Sequence, residues 1–155
     1  MTYTKHLLAM AAFLVSTAAT AEPIALGDLT IDKPHSFSTT EGTKSGAGYM
    51  MITNTGSEDE VLVSASSPLG MTELHKSETD ANGVARMIEQ EDGIPIPAGE
   101  TVMLEPGGLH VMFMGLTAPL EEGEQHEVKL VFQNAGEIDL TFDIMDRGAA
   151  AAHNH

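Results

Sequence analysis

Apolar residues recur at alternate positions along most of the chain, in short runs broken by Gly, Pro, Asn and Asp. The clearest run is near the C-terminal end, where Ile138, Leu140, Phe142 and Ile144 alternate with Asp139, Thr141 and Asp143. A period of two puts these sets on opposite faces of an extended strand, one buried and one wet. Comparable runs predict strands at Ile24 to Ile31, Gly48 to Thr53, Val61 to Ala65, Met71 to His75, Val84 to Glu89, Glu100 to Leu104, His110 to Leu116, Glu127 to Phe132 and Glu137 to Ile144. Lys33-Pro34 is expected to stop the first strand, and Ser38 to Gly48, rich in Gly, Ser and Thr, to form a surface loop. Asn54-Thr55-Gly56-Ser57 is expected to turn one hairpin and Gln133-Asn134-Ala135-Gly136 another. No segment after residue 21 carries a helical period. The expected fold is therefore all-β, a single-domain antiparallel β-sandwich.

The first residues have a different character. Lys5 and His6 precede the apolar run Leu7 to Val15, and Ala19-Thr20-Ala21 stands before Glu22-Pro23. This is the layout of a secretory signal peptide, with cleavage expected after Ala21, and the run is too short to span a bilayer. The predicted organisation is a leader over 1–21, a β-sandwich over 22–146 and a mobile tail over 147–155. That tail is mostly Gly and Ala and carries His153 and His155, two imidazoles able to hold a metal at a secondary site.

Composition narrows the function. Seven basic residues against 23 acidic ones give a formal charge of −16, a surface that repels phosphate backbones and anionic lipid heads. Nucleic-acid binding and stable membrane insertion are not expected. The densest acidic runs, Glu58-Asp59-Glu60 and Glu121-Glu122-Gly123-Glu124, do not have the spacing of a calcium loop and read as solvated turns. Cysteine is absent, which removes disulfides, thiolate nucleophiles and thiolate-ligated copper sites. No nucleophile stands with a base at a workable spacing, so an enzyme is not expected.

The chemistry gathers between Leu74 and Met114. His75 is followed by Met87, and after a gap of twenty-two residues comes His110-Val111-Met112-Phe113-Met114. Alternation puts His110, Met112 and Met114 on one strand face, about 7 Å apart from one to the next. Asn82-Gly83 marks a turn between His75 and Met87. A loop centred near Ala81 would set these two residues opposite each other, whereas a tight Asn82-Gly83 turn would set His75 against Gln90. Thioether sulfur and imidazole nitrogen suit Cu(I) and suit Mg, Ca or Mn poorly. Methionines on strands also serve as core filler, so the spacing leaves both a soft-metal site and a methionine-packed sandwich open. His35 and His126 lie outside the array, and Met50, Met51, Met71 and Met103 read as packing; Met114 reads as core or as a wall of the site.

The segments Ala47 to Gly56, Ala65-Ser66-Ser67-Pro68, Glu73-Leu74-His75, Gly93 to Gly99 and Pro106 to Leu116 together resemble the PCuAC-type periplasmic copper chaperones, over about Ile24 to Ile144. The motif carrying the resemblance is an H(M)x10M…HxM array. Two departures stand out: Lys76 occupies the optional methionine position, and the last gap is about one residue longer than usual. The resemblance implies a cupredoxin-like sandwich, of the same two-layer kind as immunoglobulin-like domains, with His75, Met87, His110 and Met112 as Cu(I) ligands. It further implies a periplasmic protein that hands copper to acceptor proteins assembling the copper centre of cytochrome c oxidase, with Cu(II) a candidate for the His153/His155 tail. The alternatives are a periplasmic copper storage or resistance protein and a structural sandwich that binds no metal.

Overall fold

A computed structural model of the chain describes residues 21–148. The predicted leader, all but Ala21, and the tail histidines His153 and His155 lie outside the described residues. Eleven strands run in chain order: β1 (Ile24–Leu26), β2 (Leu29–Phe37), β3 (Ser45–Asn54), β4 (Glu60–Ser66), β5 (Met71–Thr79), β6 (Ala85–Glu89), β7 (Ile94–Ile96), β8 (Thr101–Leu104), β9 (Leu109–Met114), β10 (Gln125–Phe132) and β11 (Gly136–Met145). They hydrogen-bond in the order β6-β5-β9-β8-β3-β2-β11-β10-β4-β7, with β1 beside β2. Pairing is antiparallel except for β2 with β11 and the single β8–β9 contact.

This path curls so that its two halves close over one core. Met50, Ile52, Val111 and Phe113 from one half meet Leu62, Ile94, Ile96, Val128, Leu130, Leu140 and Phe142 from the other. The alternation predicted for β11 is present: Leu140, Phe142 and Ile144 are buried, Asp139, Thr141 and Asp143 exposed. Its hairpin with β10 turns at Gln133-Asn134-Ala135 into Gly136, whose φ of 90° suits glycine.

Four expectations are corrected. The first strand is interrupted by a two-residue turn at Gly27-Asp28, which folds β1 back on β2. Lys33-Pro34 does not end β2; a β-bulge there, with Lys33 at φ 50°, shifts the β2–β3 register by one residue. Ile31 pairs with Ile52 before the bulge and points into the core, whereas after it Ser36 takes the inward face and His35 and Phe37 turn outward. The Ser38–Gly48 loop is shorter than predicted, because Ser45-Gly46-Ala47-Gly48 belongs to β3. Its inward positions are glycines because neighbours press on them: a Cβ on Gly48 would stand 2.7 Å from the Phe142 ring. Finally, β3 and β4 do not form a hairpin; β4 crosses to the other layer and pairs with β10 and β7. Asn54 pins that crossing, donating to the Glu58 and Ile96 carbonyls and accepting from the Gly56 amide. The edge strand β7 was hidden from sequence reading by Pro95, which an edge tolerates.

Candidate metal centre

The site lies on the outer face of the half-sheet β6-β5-β9-β3-β2, at the end where β9 leaves the Pro106-Gly107-Gly108 turn. Val111 and Phe113 point into the core and are fully buried, so alternation directs His110, Met112 and Met114 to the opposite face. The β5–β9 register sets His75 directly opposite His110, Glu73 opposite Met112, and Met71 opposite Met114. The ring centres of His75 and His110 are 6.0 Å apart. An imidazole bound to a metal at about 2.0–2.1 Å has its ring centre about 3.2 Å away, so two rings on one ion lie at most about 6.4 Å apart. The observed separation is within that limit.

Each ring is tied at one nitrogen and free at the other. His75 Nε2 donates to the Glu73 carboxylate at 2.8 Å, and His110 Nδ1 donates to the Gly108 carbonyl at 3.1 Å. His75 Nδ1 and His110 Nε2 are buried and, among the described residues, have no hydrogen-bond partner. A buried polar atom without a partner costs about 1–3 kcal/mol, so two on facing rings are open to a bound ion or water; His126 Nδ1, inside the core, is unpaired among the described residues as well. Tying one nitrogen to a carboxylate or carbonyl also sets the tautomer and aims the lone pair of the other, as is usual for histidines that bind metals. Burial pushes the His110 pKa below its ordinary value, a shift opposed by the Gly108 hydrogen bond and assisted by His75.

Met112 occupies the next rung of the same face. Met87 arrives from β6, where the β5–β6 register pairs Ser77 with Met87 and His75 with Glu89. The loop is thus neither centred on Ala81 nor tight: Met87 is displaced from His75 by one rung, and because that shift is two residues it stays on the same face. Met87, His110 and Met112 line one open cleft of about 690 Å3, walled on its far side by Phe37, Thr39 and Arg147. Met87 is 58% exposed, whereas His110 is 3% exposed. Lys76 points to the other face and pairs with Glu78 at 2.9 Å, so it brings no positive charge into the cleft.

The remaining histidines are placed elsewhere. His35 Nδ1 donates to the Lys33 carbonyl and its ring packs on Tyr49, 5.6 Å between centres. His126 is inside the core, hydrogen-bonded to Ser36 and edge-on to Phe113. Sequence reading gave no role to Glu73, Gly108 or Tyr49. Glu73 and Gly108 each stand two residues before a histidine, the same-face spacing of a strand, and that was the signal available. Tyr49, whose ring centre is 6.5 Å from that of His110, gave none.

Comparison with known proteins agrees with this architecture. Residues 29–144 match the family described as "Putative lipoprotein LpqE-like". A curated relative, the "Putative lipoprotein Lxx21020" of Leifsonia xyli subsp. xyli, is 38% identical over 110 residues, spanning 70% of this chain and 66% of that protein. Among solved structures, the copper-bound PCuAC domain from PmoF2 superposes with a TM-score of 0.67 at 23% identity, covering 81% of this chain and 99% of that one. Apo-DR1885 from Deinococcus radiodurans superposes with a TM-score of 0.59 at 26% identity, covering 95% and 97%. The fold is thus the cupredoxin-like β-sandwich of PCuAC domains, and on the match over residues 29–144 and the 38% identical relative, the chain belongs to the LpqE-like family.

Proposed function

We propose that the protein is an exported Cu(I) carrier that holds one ion between His75, His110, Met112 and Met87. The observation that carries this reading is the cross-strand His75–His110 pair, with one nitrogen of each ring tied and the other buried without a partner among the described residues, on the same sheet face as Met112 and Met87. The distribution of methionine supports it. Of the methionines among the described residues, only Met50 is in the buried core; Met51, Met71, Met87, Met103, Met112, Met114 and Met145 are half-buried or exposed. Core filler would have gone inside, so the packing alternative loses its main premise. Among the described residues no three of His, Cys, Asp and Glu gather as a harder ion would require. Two of the solved structures that superpose on the chain hold copper, the PmoF2 domain and Cu(I)-DR1885.

All four donors are neutral, so the bound ion keeps its single positive charge in a strongly acidic protein. His75 and His110 form a fixed base. Met87, exposed on an edge strand, is the ligand an acceptor protein can displace first, which gives release by stepwise ligand exchange rather than by opening the fold. The reading extends to delivery, through acceptor proteins, to the assembly of respiratory copper centres such as that of cytochrome c oxidase. Export would follow cleavage of residues 1–21, placing the chain in the periplasm. His153 and His155 remain candidates for Cu(II). The test is competition for Cu(I) against a chromophoric chelator under reducing conditions. One tightly held equivalent in the parent and none in His110→Ala/Met112→Ala is the expected result, and equal uptake by both would refute the site.

A further inference from the structure

The β5–β9 ladder continues past the histidine pair on the same outer face. Below His75–His110 come the rungs Glu73–Met112 and Met71–Met114. Directly opposed residues have Cβ atoms about 4.5–5.5 Å apart and diagonal neighbours about 7–8 Å, distances that two flexible methionine side chains span easily. Three thioethers, Met71, Met112 and Met114, therefore occupy adjoining positions. On the other flank β3 sets only Ala47 beside Met112 and Ser45 beside Met114, leaving room above the sulfurs. The rung is held firmly, because a Cβ on Gly70 would collide with the Met114 carbonyl oxygen, so β5 begins hard against β9. Met71 is 63% exposed, so its thioether is open to an ion arriving from solvent.

We propose that Met71, Met112 and Met114 form a second site for a soft monovalent cation, Cu(I) or Ag(I), sharing Met112 with the histidine site. Three neutral thioethers select a soft ion and offer nothing to Mg, Ca or Mn. Glu73, set between the two sites, contributes negative charge to both. An ion moves between them by exchanging ligands around Met112, which stays bound throughout, so it is never stripped of donors and its oxidation state does not change. The inference rests on the proposed function only in taking Met112 as the ligand common to both sites.

The test follows the methionine ε-methyl signals of the full chain by NMR during titration with Cu(I) under a reductant, up to three equivalents. The first equivalent is expected to move Met87 and Met112. Further metal is expected to move Met71 and Met114, and Met112 a second time. In Met71→Leu/Met114→Leu the first movement should persist and the second movement of Met112 should vanish; leucine fills nearly the same volume, so the sheet is retained. Met71 and Met114 signals that stay in place through three equivalents, or a second Met112 movement unchanged in the variant, would overturn the second site. Failure of Met87 and Met112 to respond to the first equivalent would instead count against the histidine site.

Discussion

His75 and His110 face each other across β5 and β9 with ring centres 6.0 Å apart, each with one nitrogen hydrogen-bonded to the residue two positions earlier and the other buried and, among the described residues, unpaired. The geometry is made by register. A slip of one residue between these strands would turn one of the rings into the core, so the hydrophobic residues Leu74, Val111 and Phe113 fix the site by fixing the pairing.

Removing two of the four donors should collapse affinity rather than erode it. His110→Ala/Met112→Ala is expected to weaken Cu(I) binding at least about 100-fold, roughly 2.7 kcal/mol, with an unchanged far-ultraviolet circular dichroism spectrum. Chelator competition measures the change.

In the proposed site Glu73 orients His75, since its carboxylate holds the Nε2 proton and leaves Nδ1 for the ion, and adds its negative charge beside it. Glu73→Gln, which keeps a hydrogen-bond acceptor and loses the charge, should lower affinity by about 10-fold, and Glu73→Ala by up to about 100-fold. If both variants bind as the parent does, His75 does not depend on this partner.

Met87 separates binding from folding. Its side chain is largely exposed on an edge strand, so Met87→Leu should change unfolding free energy by less than about 0.5 kcal/mol. The same variant should bind Cu(I) about 10-fold more weakly and lose it faster to a competing chelator in stopped flow.

Acid should destabilise the metal-free protein through His126 and His110, both of which burial holds below the ordinary histidine pKa. Below about pH 6.5 the unfolded chain takes up protons that the folded protein refuses, so their contribution is whole above that pH and is lost as pH falls toward the depressed values. The slope reaches at most about 1.4 kcal/mol per pH unit for each group. Denaturant melts between pH 7.5 and 5 should show this decline, and it should be shallower in His126→Gln, which can keep a hydrogen bond to Ser36 and cannot be charged. Stability that rises on acidification would contradict the assignment.

Much of the site could be read from the chain because it is written in alternation. His110, Met112 and the β11 pattern need only a period of two, and the His75–Met87 segment announces its turn at Asn82-Gly83. The cross-strand pairing of His75 with His110 could not be read, since it depends on the β5–β9 register, and register is decided by packing on the buried face. The same cause hid the start of β3, where Ser45-Gly46-Ala47-Gly48 looks like a loop but is a strand kept small by Phe113 and Phe142. It also hid the bulge at Lys33-Pro34, which turns Phe37 out to wall the cleft. Local rules mark where a strand breaks, and only the assembled sheet decides whether the break ends the strand or re-aims it.

The most direct test of the central claim is X-ray absorption at the copper edge on protein loaded with one equivalent of Cu(I). The account predicts a first shell of two imidazole nitrogens near 2.0 Å and two thioether sulfurs near 2.3 Å. A shell without sulfur, built from nitrogen or oxygen alone, would contradict it.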